Sequence, residues 1–266
     1  MSTIGLIAGS GRFPLLFAES ARRAGHRVVA AAHQGVTDPA LAGAVDACAW
    51  VKLGQLGRIV AALRGEGATC SVMLGAVPKV RFFKDALPDA ALLKVVARVA
   101  VRGDDSVLRA VADHLGAEGL PVVDPTPYLA DRLAPAGRLG KREPTGEQWL
   151  DARYGLELAR AVGRLDLGQT VVVKGRVALA VEAIEGTDAC IRRGGALAKA
   201  GAVVVKAVKP GQDRRFDLPA VGPDTVAVLA EVGAAALAVE AGATLVMDRE
   251  ELVRQADRAG IAVVGI

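Results

Sequence analysis

The sequence predicts an α/β protein of two domains, and three observations carry that expectation. Hydrophobic residues make up 52% of the chain and aromatic residues only 3%. A core must therefore be assembled from Val, Leu, Ile and Ala in thin layers, as buried parallel strands under Ala- and Leu-rich helices allow. Short Val-rich runs alternate with stretches of helical spacing, the pattern of parallel strands joined by right-handed crossovers. Midway, "DPTPYLADRLAPAGRLGKREP", Asp124 to Pro144, turns rich in Pro, Gly and clustered charge, which suits a crossing between domains. At 266 residues the chain has room for one large domain or two ordinary ones. We expect an N-terminal domain with a Rossmann-like parallel sheet over residues 1–131, a linker over 132–138 and a C-terminal α/β domain over 139–266. The cleft between them is the expected ligand site.

Taken in order, "TIGLIAGSG" is a buried strand running into a glycine turn, and "FPLLFAESARRAG" a helix with Phe13, Leu16, Phe17 and Ala21 on one side, stopped at Gly25. "HRVVAAAH" and "DACAWVKL" are strands, "QLGRIVAALRGEG" a helix and "ATCSVMLGAV" a fourth strand. Helical spacing near Asp89–Val101 and Asp104–Glu118 leads to "GLPVVDP", read as another strand. Past the crossing, "TGEQWLDARYGLELARAVGRL" is a helix, and "QTVVVK" and "RVALAVEA" form a hairpin turning at Lys174-Gly175. "GTDACIRRGGALAKAG" is a helix, "AVVVKAV" a strand, and from Pro223 onward helix and strand alternate again.

The formal net charge of +4 comes with no basic tail or stripe, so nucleic acid gains little support, while an anionic small molecule or membrane surface stays compatible. Cys48, Cys70 and Cys190 are too few and scattered for a disulfide framework or zinc site and read as small core residues. His26, His33 and His114 lack metal-ligand spacing and read as surface or loop residues. The start, "MSTIGLIAGSG", lacks the basic n-region of a secretory signal. No apolar run reaches the ~18 residues a membrane span needs, so a soluble, cytoplasmic protein is expected.

"GLIAGSGRFP" places Gly9, Ser10, Gly11 and Pro14 where a strand passes into a helix, whose N-terminus attracts phosphate. Two features argue against a nicotinamide dinucleotide. Pro14 stands where the third glycine of the fingerprint belongs, and His33 and Gln34 stand where the ribose-binding acid is expected. "LGAVPK", with Gly75 and Ala76, is a second strand-end glycine loop assigned to the same pocket. A tight turn without a ligand is the plain alternative for the first loop.

Two later segments concentrate polar residues. "VEAIEGTDACIRR" holds Glu182, Glu185, Thr187, Asp188, Arg192 and Arg193; "KPGQDRRFDLP" holds Lys209, Gln212, Asp213, Arg214, Arg215 and Asp217. Thr187 or Asp188 can instead cap a helix, and the second segment can be a solvated turn. Against the turn, Asp217 runs into apolar sequence, where an unpaired charge is costly. A divalent ion such as Mg²⁺, held by one or two carboxylates plus phosphates, resolves that cost. Arg215 has the fork that grips phosphate. Metal, carboxylate and arginine together are what phosphoryl chemistry uses.

"GLIAGSGRFP", "GRLGK" at Gly137–Lys141, "VALAVEAIEGTDACIRR" and "KPGQDRRFDLPAVGPDTV" together resemble the LpxI family, the UDP-2,3-diacylglucosamine pyrophosphatases of lipid A biosynthesis, in order and over nearly the whole chain. The resemblance implies hydrolysis of UDP-2,3-diacylglucosamine to UMP and 2,3-diacylglucosamine 1-phosphate (lipid X), dependent on Mg²⁺ or Mn²⁺. It makes Asp217 the essential aspartate, binding metal or positioning water, with Asp188 a second candidate ligand. Gln212 and Arg215 would face the diphosphate, with Thr187, Asp188 and Lys209 lining the substrate. Gly9 to Pro14 would form the nucleotide side of the cleft. A lipid-linked substrate implies transient contact with the cytoplasmic face of the inner membrane; a homodimer is a prior. The rivals are a non-catalytic nucleotide-sugar binding module and an NAD-dependent oxidoreductase.

Overall fold

The computed structural model describes residues 2–77, 87–98, 103–211, 213–216 and 218–266. It divides into two compact units, one of residues 1–129 with Arg214–Phe216, the other of residues 130–213 with 217–266.

In the first unit β1 (Thr3–Ala8), β2 (Arg27–His33), β3 (Ala47–Val51) and β4 (Cys70–Leu74) form a parallel sheet in the order β3-β2-β1-β4. β1 and β2 are buried almost from end to end, as strands covered on both faces must be. Around the sheet run α1 (Phe13–Arg23), the short α2 (Leu41–Ala44), α3 (Leu56–Gly65), α4 (Ala90–Arg98) and α5 (Gly103–Ala117). α1 buries Leu16, Phe17 and Ala21 as its spacing predicts, and the chain leaves it through Gly25 at φ +83°. Between β1 and β4 the strand order reverses. "GLPVVDP" does not become a full strand. Val122 makes one parallel bridge to Ser71, because Pro121 has no N–H to extend the ladder. The bridge is held by Ser71 N–H on Pro121 O at 2.9 Å and Val123 N–H on Ser71 O at 2.8 Å.

The second unit is built on a mixed sheet of β5 (Gly137–Arg138), β6 (Thr170–Lys174), β7 (Val177–Val181), β8 (Val203–Lys206), β10 (Ala236–Val239) and β12 (Ala262–Gly265). The order is β5-β12-β10-β8-β6-β7, with β8, β10 and β12 parallel and the others antiparallel to their neighbours. Part of the expected linker thus enters this sheet as β5. A small ladder joins β9 (Ala220–Val221) to β11 (Leu245–Val246). The helices are α6 (Gly146–Arg164), α7 (Thr187–Ala198), α8 (Pro223–Glu231) and α9 (Arg249–Ala259). α6 starts on a reciprocal capping box of Thr145 with Gln148. The β6–β7 hairpin turns on Gly175 and Arg176, both left-handed at φ +59° and +60°, the geometry a two-residue hairpin wants. The buried Asp151 carboxylate pins that turn, accepting the N–H groups of Gly175 (2.9 Å) and Arg176 (2.6 Å).

All three cysteines are free thiols. Cys190 is fully buried as expected, its thiol pushed up to about 12 by burial, whereas Cys48 and Cys70 are half-buried and less strongly raised by the same cause. Among the described residues no helix is long and apolar enough to cross a membrane.

α7 lies tightly on β6 through Gly194, where an added Cβ would meet Val172 Cβ at 2.5 Å. Gly194→Ala is expected to destabilise the protein. Overpacking of about 1–3 kcal/mol exceeds the roughly 1 kcal/mol of helix propensity gained, because β-branched Val172 has little rotamer freedom to yield. Urea unfolding of the two proteins checks this.

Candidate active site

The antiparallel register of β6 on β8 sets Thr170 opposite Lys206, at the end of the sheet where β8 stops. There β7 gives way to Glu182, whose N–H still bonds Thr170 O at 2.9 Å, and the chain turns through Gly186 (φ +82°) into α7. Four side chains meet. The Thr187 hydroxyl donates to Glu182 Oε1 at 2.9 Å and lies 3.4 Å from the Thr170 hydroxyl. Lys206 Nζ donates to Thr187 Oγ1 at 3.5 Å and to Ala220 O at 3.1 Å, three residues past Asp217 in sequence. Glu182 is buried, and its other oxygen accepts Gln169 N–H at 3.3 Å. Gln169 Oε1 is buried with no hydrogen-bond partner among the described residues, a deficit of roughly 1–3 kcal/mol that a ligand hydroxyl or water would relieve. An ammonium beside hydroxyls and a helix N-terminus is an environment for phosphate oxygens.

Thr187 is therefore no cap. It is the first residue of α7, Gly186 occupies the cap position, and no side chain caps that end. Asp188 is exposed in the first turn, where the helix dipole favours a negative charge. Glu185 pairs with Arg193 at 2.5 Å, and the guanidinium holds its carboxyl below the usual range. Lys209 pairs with Asp166 at 2.9 Å.

In the first unit the two glycine loops interlock. Gly9 N–H bonds Leu74 O at 2.8 Å, Ser10 and Ala76 exchange N–H···O bonds at 2.8 and 3.1 Å, and Ser10 Oγ donates to Ala76 O at 2.9 Å. A Cβ on Gly9 would meet Ala76 O at 2.7 Å, and one on Gly75, which sits at φ +89°, would meet Ser10 O at 2.5 Å. Glycine is required at both positions for this close approach. The N–H groups of Gly9 and Ser10 are spent on the lock. Gly11, by contrast, lines a cavity of about 490 Å³ with Arg12, Thr37, Asp38 and Trp50. Pro14 is buried in the first turn of α1.

Asp217 and Gln212, like Pro78 and Lys79 of the second glycine loop, lie outside the described residues. Arg215 stacks its guanidinium over Phe216 at 4.9 Å, and Phe216 packs against the first unit's core cluster with Ile7, Val29 and Leu115. The segment "RRF" thus belongs by its contacts to the first unit. Among the described residues no three His, Cys, Asp or Glu side chains gather to hold a metal. That excludes an all-protein cage built from them. Asp188, next in sequence to Thr187, offers an exposed carboxylate.

Comparison with known proteins decides the kinship. The family model of the LpxI N-terminal domain matches residues 3–132, and that of the LpxI C-terminal domain matches residues 135–264. The chain belongs to the LpxI family. The UDP-2,3-diacylglucosamine pyrophosphatase LpxI of Caulobacter vibrioides is 38% identical over 278 residues, covering 100% of this chain and 98% of that one. A solved structure of a single-chain, multi-domain long-chain acyl-CoA carboxylase matches at 17% identity and TM-score 0.24 over 66% of this chain and 15% of that one, too slight a likeness to carry any argument.

Within this LpxI chain, Lys206, Thr170 and Gln169 went unnoticed in the sequence. A lysine ending "AVVVK" looks like any strand terminus, and only the β6–β8 register shows what it faces. Asp38 was missed too. It follows β2 by five residues, later than the position where a ribose-binding acid is sought, yet lines the cavity. His33 is a correction. It is buried at the end of β2, its Nδ1 2.8 Å from Ala8 O, because the strand end tucks under the glycine loop. The Thr37 hydroxyl donates to the same oxygen at 2.6 Å and accepts His33 N–H at 2.9 Å.

Burial lowers the pKa of His33, against the smaller opposing effect of its bond to Ala8. A histidine depressed in the fold binds its proton more readily when unfolded, so stability falls as pH drops below the unfolded value of about 6.5. Thermal melts from neutral to mildly acid pH are expected to show this loss, and His33→Gln to reduce its slope.

Proposed function

We propose that this protein hydrolyses the diphosphate of UDP-2,3-diacylglucosamine to UMP and 2,3-diacylglucosamine 1-phosphate, with Mg²⁺ or Mn²⁺ as cofactor. The observation that carries the reading is the meeting of Lys206, Thr187, Thr170 and Glu182 at the β8 end of the second unit's sheet. The activity named for the Caulobacter relative supplies the substrate. Lys206 would bind the diphosphate as a fixed positive charge, its ammonium already oriented by Ala220 O and the Thr187 hydroxyl. Glu182, buried, accepts the hydrogen bond of the Thr187 hydroxyl and so leaves that oxygen's lone pairs to accept from Lys206 Nζ, which would hold the ammonium in place. Arg215 and Gln212 would add donors for phosphate oxygens, and Asp217 would orient the attacking water or, with Asp188, hold the metal. When bound, the ion would polarise the phosphorus and neutralise charge on the phosphate oxygens. Within the first unit, the cavity beside Gly11 offers the Trp50 ring and the Asp38 carboxylate as candidate partners for a uracil ring and ribose hydroxyls.

Incubating the purified protein with UDP-2,3-diacylglucosamine and Mg²⁺ should release UMP. Tight binding without turnover would indicate a nucleotide-sugar binding module instead. In ¹⁸O-water the label entering lipid X or UMP identifies the phosphorus attacked. Asp217→Ala is expected to abolish turnover, and Lys206→Met to lower kcat on the order of 10²-fold, the usual cost of losing one preorganised donor. Chelation should stop the reaction and added Mg²⁺ restore it. Trp50→Ala should raise KM more than it lowers kcat, as loss of uniform binding does.

A further inference from the structure

The α6–β6 and β7–α7 loops of the second unit touch. A Cβ on Gly168 would run into the Glu182 carbonyl, and Gln169 N–H reaches Glu182 Oε2 at 3.3 Å. These two loops display Leu165, Leu167 and Ile184 at 71%, 55% and 104% exposure. Single exposed apolar residues are ordinary on any surface; three large ones on two touching loops are not. The backbone is constrained to present them. Asp166, between the leucines, sits at φ +55°, a left-handed conformation uncommon outside glycine. Its carboxylate is tied to Lys209 at 2.9 Å, and the N–H groups of Leu165 and Leu167 both reach Val162 O, at 3.0 and 3.4 Å.

We infer that these loops are a shallow insertion surface for an anionic lipid bilayer. A second protein is the poorer occupant, since a stable interface takes roughly 20–30 residues a side, while a bilayer needs only a few apolar side chains and no opposing electrostatics. The loop acids fit that condition: Asp166 is paired with Lys209, Glu185 with Arg193, and Arg164 is exposed beside Leu165. The whole chain carries +4. The same two segments lead into Thr170 and carry Glu182 and Thr187, so docking here would bring a membrane-held substrate to the polar cluster. That last point rests on reading the substrate as lipid-linked.

Flotation of the full chain with vesicles of phosphatidylethanolamine and phosphatidylglycerol tests it, alongside vesicles of phosphatidylcholine alone. The parent protein should float with the anionic vesicles. The triple variant Leu165→Ser, Leu167→Ser, Ile184→Ser should bind at least ~10-fold more weakly, since one buried leucine is worth about a decade. Ile184→Ser alone, at a fully exposed site that leaves the fold intact, should weaken binding in the same direction. Leu197→Ser, 63% exposed at the far end of α7, should float like the parent. Turnover of substrate in detergent micelles should be equal in all four proteins. Equal flotation of parent and triple variant, no flotation of the parent, or a loss of self-association on size exclusion in the triple variant would each overturn the inference. A parent that floats but releases no UMP from micelles counts instead against the proposed reaction.

Discussion

The polar edge of the second unit depends on the antiparallel pairing of β6 with β8. One residue of slip would turn every side chain of β6 to the opposite face. Thr170 would leave Lys206, and the Val171 and Val173 side chains buried on the α6 side would exchange with Val172 on the α7 side. Because both faces of β6 are packed, its register is fixed by hydrophobic burial, and the polar cluster inherits that rigidity. Glu182 illustrates the result: a buried carboxylate is costly, and here it is supplied with a hydroxyl and a backbone N–H by neighbours placed by the sheet.

In the first unit close backbone approach plays the corresponding part. Gly9 and Gly75 let two strand-end loops exchange hydrogen bonds through Ser10 and Ala76, at distances no Cβ would permit. This fixes the start of α1 without a side-chain cap, and His33 and Thr37 brace it by closing on Ala8 O. The cavity beside Gly11 is thus walled in part by loops held through several hydrogen bonds.

The segment "KPGQDRRFDLP" gathers several of these themes. Lys209 at its start pairs with Asp166, and Arg215 stacks on Phe216, which packs against the core cluster of the first unit.

Sequence by itself determined the periodic elements and the turns. The apolar runs that become strands, α1 with its buried Leu16 and Phe17, and a hairpin turn expected at Lys174-Gly175 and found one residue later, at Gly175-Arg176, all follow local patterning. The resemblance in "EGTDACIRR" and "QDRRFDLP" was legible for the same reason, since each motif is contiguous. Tertiary structure alone decided that Thr187 bonds Glu182 and Lys206 rather than capping its helix, that His33 is buried, that Asp38 reaches a cavity wall, and that Pro121 reduces a strand to a bridge. Three of these depend on partners far apart in the chain, brought together only by sheet register and helix packing. A periodicity in one segment carries no information about which distant segment lies against it.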